Sequence, residues 1–192
     1  MTRFFKEAWL VLLIMVASAL GLAAVNESLK DRIRQNNVAK VESAVAEVLG
    51  VQQSAMKAEK LQIAGQDVYR AADASGKLIG WGVPARCEKS YADDLRIMIG
   101  LDPTGQKIVG LAVTNCNETP GLGDQVKGEK FRNQFKGQSA DTRQSELKLV
   151  KTGGGDGAIE ACTGATISSK SVVGAVNRQL AAVQAEIAKM AK

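Results

Sequence analysis

Two short stretches carry residue types from which a binding site could be built. In Cys162-Thr-Gly-Ala-Thr-Ile-Ser-Ser169, the hydroxyls of Thr163 and Thr166 flank Gly164-Ala165, a pair with almost no side-chain bulk. The stretch lies just ahead of a helical pattern, and the peptide N–H groups and dipole at a helix start favour an anion. A phosphate near Thr166 is well placed there. The plainer use of the same residues is a ligand-free N-cap provided by Ser168 or Ser169. The second stretch is Glu118-Thr119-Pro120-Gly121-Leu122-Gly123-Asp124. Pro120 fixes one backbone angle, and Gly121 and Gly123 reach conformations closed to other residues. Glycines also let a flat ligand lie against the backbone, although a surface turn has the same composition.

Other chemistries are excluded by composition. The chain of 192 residues has no histidine, so neither a Ser-His-Asp nor a Cys-His constellation can be assembled from it, nor a histidine-ligated metal. Cys87, Cys116 and Cys162 are widely separated, with no CxxC pair. No phosphate-binding loop of the G-x-x-x-x-G-K-[ST] type occurs, and Gly80-Trp81-Gly82 lacks the third glycine of a dinucleotide fingerprint. Asp93, Asp94, Glu118 and Asp124 read as surface charge, so no catalytic group and no metal-ligand set is assigned. A net charge of +5 is too mild to point to nucleic acid. In the basic stretch Lys127–Lys136, Phe131 and Phe135 are four apart and fall on one helix face. They read as aromatics docked in a core rather than as a stacking platform for bases.

These residues must be positioned by a scaffold whose elements are legible. Ala8 to Val25 is uncharged, about 27 Å long as a helix, and near the hydrocarbon thickness of a bilayer. Arg3 and Lys6 precede it and Trp9 sits where an interfacial aromatic belongs. Small residues near its end also suit a signal peptide, but the apolar run exceeds the usual length. An uncleaved anchor is expected, with the short basic N-terminus in the cytoplasm and the domain outside. Residues 27–49 have helical spacing and read as a stalk ending at Gly50. Two hairpins follow, Val68–Ala71 with Leu78–Val83, and Leu95–Ile99 with Ile108–Val113. In the second, Leu95, Ile97 and Ile99 point inward and Arg96 and Met98 outward. A glycine-rich loop at Thr152–Gly157 precedes a C-terminal amphipathic helix from about Ser169 to Met190, whose apolar stripe ends on Met190. The fold class is α+β: residues 1–26 tip and transmembrane anchor, 27–50 stalk, and 51–192 one domain with an antiparallel sheet.

Taken together, the two stretches resemble signatures of the FMN-binding domain family. Thr163-Gly-Ala-Thr166 with Ile167-Ser-Ser169 is similar to its [ST]GAT-x-[ST] signature, and Asn117-Glu-Thr-Pro-Gly-Leu-Gly123 to its NETPGLG loop. Gly80-Trp-Gly-Val-Pro84 is similar to the family's GYGGP stretch, with Trp81 in place of tyrosine. Length and layout resemble the G component of Rnf-type ion-translocating ferredoxin:NAD oxidoreductases; the C component of the sodium-translocating NADH:quinone reductase, usually longer, shares the domain. The resemblance implies a redox component that relays electrons through FMN and has no catalytic groups of its own. It implies FMN joined by a phosphoester to Thr166, with Thr163, Gly164 and Ala165 around the attachment. Glu118, Thr119, Pro120, Gly121, Leu122 and Gly123 would border the ring. It implies a flavin transferase during maturation, neighbouring membrane and peripheral subunits, and a place on the outer face of the bacterial cytoplasmic membrane. The C component of a sodium-translocating NADH:quinone reductase, a flavin-free anchored interaction module and a secreted basic binding protein are the alternatives.

Overall fold

The structure, a computed structural model, describes residues 2–90 and 94–190, with side chains from residue 8 onward. The side chains of Arg3 and Lys6, and Asp93 entirely, lie outside the described residues. Helix α1 runs from Thr2 to Leu49. The chain divides into two units, Met1–Ala39 and Lys40–Lys192. In the first, Trp9, Leu10, Val11, Leu12, Leu13 and Ile14 are each more than half exposed, and so is Leu22 at 72%. Apolar side chains left uncovered over a helical run of this length fit a membrane anchor.

The second unit begins with the last turns of α1. Gly50, at φ +66°, ends the helix: its N–H bonds the Glu47 carbonyl and the Val51 N–H bonds that of Ala46. This pairing satisfies two orphan carbonyls, and only glycine adopts the left-handed turn at no steric cost. Strands β1 (Met56–Ile63), β2 (Gln66–Asp73), β3 (Leu78–Cys87), β4 (Leu95–Leu101) and β5 (Ile108–Asn115) form an antiparallel meander in sequence order. Both expected hairpins are present, with longer strands than the sequence pattern indicates. The hairpin turns are built by aspartates: the Asp73 carboxylate accepts N–H groups of Ser75 and Lys77, and the Asp102 carboxylate those of Gln106 and Lys107. Strand β1 is an addition to the expected elements. Its Met-Lys-Ala-Glu-Lys-Leu-Gln-Ile sequence buries only its two end residues, as suits a sheet edge.

Both faces of the sheet are covered, which corrects the reading of Met98 as solvent-facing. Val68, Trp81, Val83, Ile97, Ile99, Leu101 and Ile108 build one core with helix α3 (Thr166–Met190). Met98, at 1% exposure, joins Ala71, Ala112, Val45 and Val48 on the other face, under the end of α1. The approach is close because Gly82, Gly100 and Gly110 pair in one row across β3, β4 and β5. A Cβ on Gly100 would lie 2.9 Å from the Val48 carbonyl oxygen, and one on Gly110 only 2.2 Å from it.

A 3₁₀ turn (Gly123–Lys127), helix α2 (Glu129–Arg132) and a second 3₁₀ turn (Asn133–Phe135) follow the glycine loop. Phe131 and Phe135 are buried and meet edge-to-face at 5.5 Å, as expected of core aromatics. Strands β6 (Lys148–Val150) and β7 (Ala158–Glu160) form a small parallel pair. In α3 the stripe Val172, Val176, Leu180, Val183 and Ile187 is fully buried, whereas Met190 is 59% exposed and not part of it. The helix also starts three residues earlier than its apolar pattern indicates. Ser168 and Ser169 therefore sit inside its first turn and are not caps.

All three cysteines are free thiols. Burial pushes the Cys87 thiol up to about 12, so it stays protonated and unreactive at neutral pH. Iodoacetamide is expected to alkylate Cys87 only after denaturation; rapid labelling of Cys87 in the folded chain, read by peptide mass, would contradict this packing.

Candidate functional site

The two sequence stretches meet. After β5 the chain leaves the sheet at Asn115 and turns over Thr119–Leu122, where the Leu122 N–H bonds the Thr119 carbonyl at 3.2 Å. Gly121 has φ +77°, which the turn requires. The Gln125 side-chain amide donates to the Gly121 carbonyl at 3.0 Å and steadies the loop. On the facing wall, Thr163-Gly164 makes a tight turn with Gly164 at φ +79°. The Ala165 N–H closes that turn on the Cys162 carbonyl at 3.0 Å, and the Ser169 hydroxyl accepts the Cys162 N–H at 3.1 Å. α3 then begins at Thr166.

Between these walls is a cleft of about 490 Å³ lined by Glu118, Thr119, Leu122, Gly123, Gly164, Ala165, Thr166, Ile167 and Ser168. Pro120, Gly121 and Thr163 are exposed beside it and do not line it. Thr166 is exposed, the first residue of the helix, where first-turn N–H groups have no intrahelical acceptor and the dipole is positive. Glu118 is the only member of the loop's polar residues that is buried, at 5% exposure. Its carboxylate accepts a hydrogen bond from the Ser168 hydroxyl at 3.1 Å. Gly123 closes against the same pair: a Cβ there would lie 2.3 Å from the Glu118 carboxylate and 2.8 Å from the Ser168 hydroxyl.

Ser168 is thus a site residue that sequence reasoning does not single out. It ties the loop to the helix start, whereas the sequence marks it only as a cap candidate and as the last hydroxyl of the [ST]GAT-x-[ST] pattern. Replacing it with alanine removes a buried donor from a buried carboxylate. Ser168→Ala is expected to lower unfolding stability by about 1–3 kcal/mol, measured by denaturant titration of the full chain in detergent. An unchanged midpoint would show that the contact contributes nothing.

The second glycine loop, Thr152–Gly157, is not brought to this cleft. Gln138 holds it by accepting the Gly157 N–H and donating to the Gly155 carbonyl, both at 2.8 Å. Gln134 likewise brackets Glu160, accepting its N–H at 2.6 Å and donating to its carbonyl at 3.2 Å. Gln134, Gln138, Gly155 and Glu160 line a separate cavity of about 290 Å³.

Known proteins share both sequence and fold. The FMN-binding domain family matches residues 90–181. The G component of the Na(+)-translocating ferredoxin:NAD(+) oxidoreductase complex of Acetobacterium woodii is 31% identical over 195 residues, covering 94% of this chain and 91% of that protein. The G component of the proton-translocating complex of Clostridium ljungdahlii is 36% identical over 111 residues, a match spanning 58% of this chain and 57% of that protein. Among solved structures, the C component of the Na(+)-translocating NADH-quinone reductase of Parabacteroides distasonis has a similar fold, with TM-score 0.63, 19% identity, and 80% of this chain and 94% of that chain covered. NqrC of Shewanella oneidensis follows at TM-score 0.55 and 22% identity, over 73% of this chain and 70% of that one. The near full-length match to a G component and the FMN-binding domain over the cleft-forming segment agree, and the chain belongs to the G-component family of ion-translocating ferredoxin:NAD(+) oxidoreductase complexes.

Proposed function

We propose that this chain is a membrane-anchored electron relay in such a complex, carrying FMN joined through its phosphate to the Thr166 hydroxyl. The observation that carries the reading is the exposed Thr166 at the head of α3, inside a cleft whose other wall is the Glu118–Gly123 loop. The residues suit the group. Gly164 and Ala165 keep bulk away from the Thr166 hydroxyl. The helix start offers N–H groups and positive potential to a phosphate diester. Leu122, 52% exposed and on the cleft wall, offers an apolar surface to a ring.

FMN would supply the one- and two-electron chemistry that the side chains lack. The chain's own work is to fix the attachment point, shape the loop wall and hold both on a rigid sheet. A covalent tether suits a domain on the outer face of the membrane, where lost flavin could not be replaced from the cytoplasm. On this reading a flavin transferase completes the protein after α1 has inserted, and the membrane anchor ends near residue 26.

The test is the visible spectrum of the full chain purified from its native membrane under denaturing conditions. Flavin absorbance that travels with the unfolded chain supports the reading. A colourless chain from that membrane would leave the fold intact and remove the relay, favouring an anchored interaction module.

A further inference from the structure

A cavity of about 920 Å³, larger than the Thr166 cleft, lies on the neighbouring flank of α3. One wall is the run Glu146–Leu149, leading into and along β6; the other is α3 from Ile167 to Arg178. β6 pairs on one side only, with β7. In a parallel ladder alternate residues turn their N–H and C=O groups to opposite sides. Lys148 and Val150 turn theirs to β7, the Lys148 N–H bonding the Gly157 carbonyl and the Val150 carbonyl accepting from Ala161. Leu147 and Leu149 therefore turn away from β7. Leu147 is capped by a side chain of α3: Asn177 accepts its N–H at 3.1 Å and donates to its carbonyl at 2.9 Å. The Leu149 N–H and C=O lie on that same edge, two residues further along the groove. The outer edge of β7 is closed in a similar way, by Gln134 on Glu160.

The groove is also charged. Lys89, Lys148 and Lys170 line it and form no ion pair among the described residues, while Arg178 is 3.7 Å from Glu88. Glu146, the other acid, accepts from Asn177 at 3.4 Å. An open strand edge beside a helix is the arrangement in which an extended peptide adds as a strand, with main-chain bonds giving affinity and side chains giving selectivity. Lysines and a strand of only three residues guard this edge against indiscriminate pairing, leaving acidic segments as the ones whose charge it suits.

We propose that the groove between α3 and the outer edge of β6 receives an extended, acidic segment of a neighbouring chain, which bonds Leu149 as a third strand. Ile167, 60% exposed, lines both this groove and the Thr166 cleft, so a segment seated here ends at the mouth of the cleft. Such a contact would bring a partner protein to the side of the domain that faces Thr166.

The test is amide hydrogen exchange at Leu149, compared between the full chain alone in detergent and the assembled complex from its native membrane. Assembly is expected to slow the Leu149 amide at least tenfold, while the Lys148 amide, already paired with β7, changes little. In a complex carrying Lys89→Glu, Lys148→Glu and Lys170→Glu, the protection at Leu149 should be lost with the backbone amide of position 148 still protected, showing that the strand pair survives. Equal exchange at Leu149 in both forms would overturn the proposal. Protection that grows with concentration in the isolated chain would assign the groove to a second copy, and protection on anionic vesicles alone would assign it to a membrane; either result overturns it. The Thr166→Ala chain should show the same protection on assembly, so failure of the flavin reading and failure of this one are distinguishable.

Discussion

Thr166→Ala is expected to abolish covalent flavin: the variant expressed in the native host should give a dark band under ultraviolet light after denaturing electrophoresis, where the parent fluoresces. On the proposed attachment the effect is all or none, because Thr166 would be the single nucleophile. Thr163 has a hydroxyl too, but it is exposed beside the cleft and on the other side of Gly164-Ala165. The substitution removes one exposed hydroxyl at a helix start and leaves an alanine, a good helix former, so stability should move by no more than about 0.5 kcal/mol. Thr166→Ser keeps the hydroxyl and is expected to keep flavin. Fluorescence that persists on the denatured Thr166→Ala chain would move the attachment elsewhere.

The largest stability effect is expected far from the cleft, at Gly110. A methyl group there would stand 2.2 Å from the Val48 carbonyl oxygen and 3.0 Å from its Cα and carbonyl carbon. These are backbone atoms of α1, which cannot rotate away as a flexible side chain could. The helix end must lift from the sheet, exposing Val45 and Val48, both almost fully buried. Overpacking of this kind costs about 1–3 kcal/mol, and more when backbone must move. Gly110→Ala should therefore lower the thermal midpoint by several degrees at least. Gly121→Ala is the instructive contrast: nothing lies within 4 Å of its added methyl, and its cost is only the strain of φ +77°. A thermal midpoint for Gly110→Ala equal to that of the parent would mean that α1 does not end on this face.

The same row of glycines marks the limit of what residue order reveals. Periodicity is enough for α3, the two central hairpins and the paired phenylalanines, because a buried stripe or an alternating strand writes itself into the sequence. Gly82, Gly100 and Gly110 are distant in sequence, and their shared purpose exists only once β3, β4 and β5 are in register. Met98 reads as outward for the same reason, since one-sided alternation assumes a solvated face and here the end of α1 covers it. β1 escapes notice because an edge strand carrying Lys57, Glu59 and Lys60 has little apolar signal, and β6 and β7 because three residues hold no period. At the cleft, the residue types of both walls are legible as motifs. That they face each other, and that Ser168 bonds Glu118 across a separation of fifty residues in sequence, depends on how α3 docks against the loop after β5.

Thr166 is the residue on which the proposed relay depends, and its most direct test is peptide mass mapping of the full chain isolated from its native membrane. The peptide that contains residues 162–169 is predicted to carry the mass of FMN less one water, with fragmentation placing it on Thr166. The unmodified peptide recovered at full yield, from a membrane in which other flavoproteins are loaded, would contradict it.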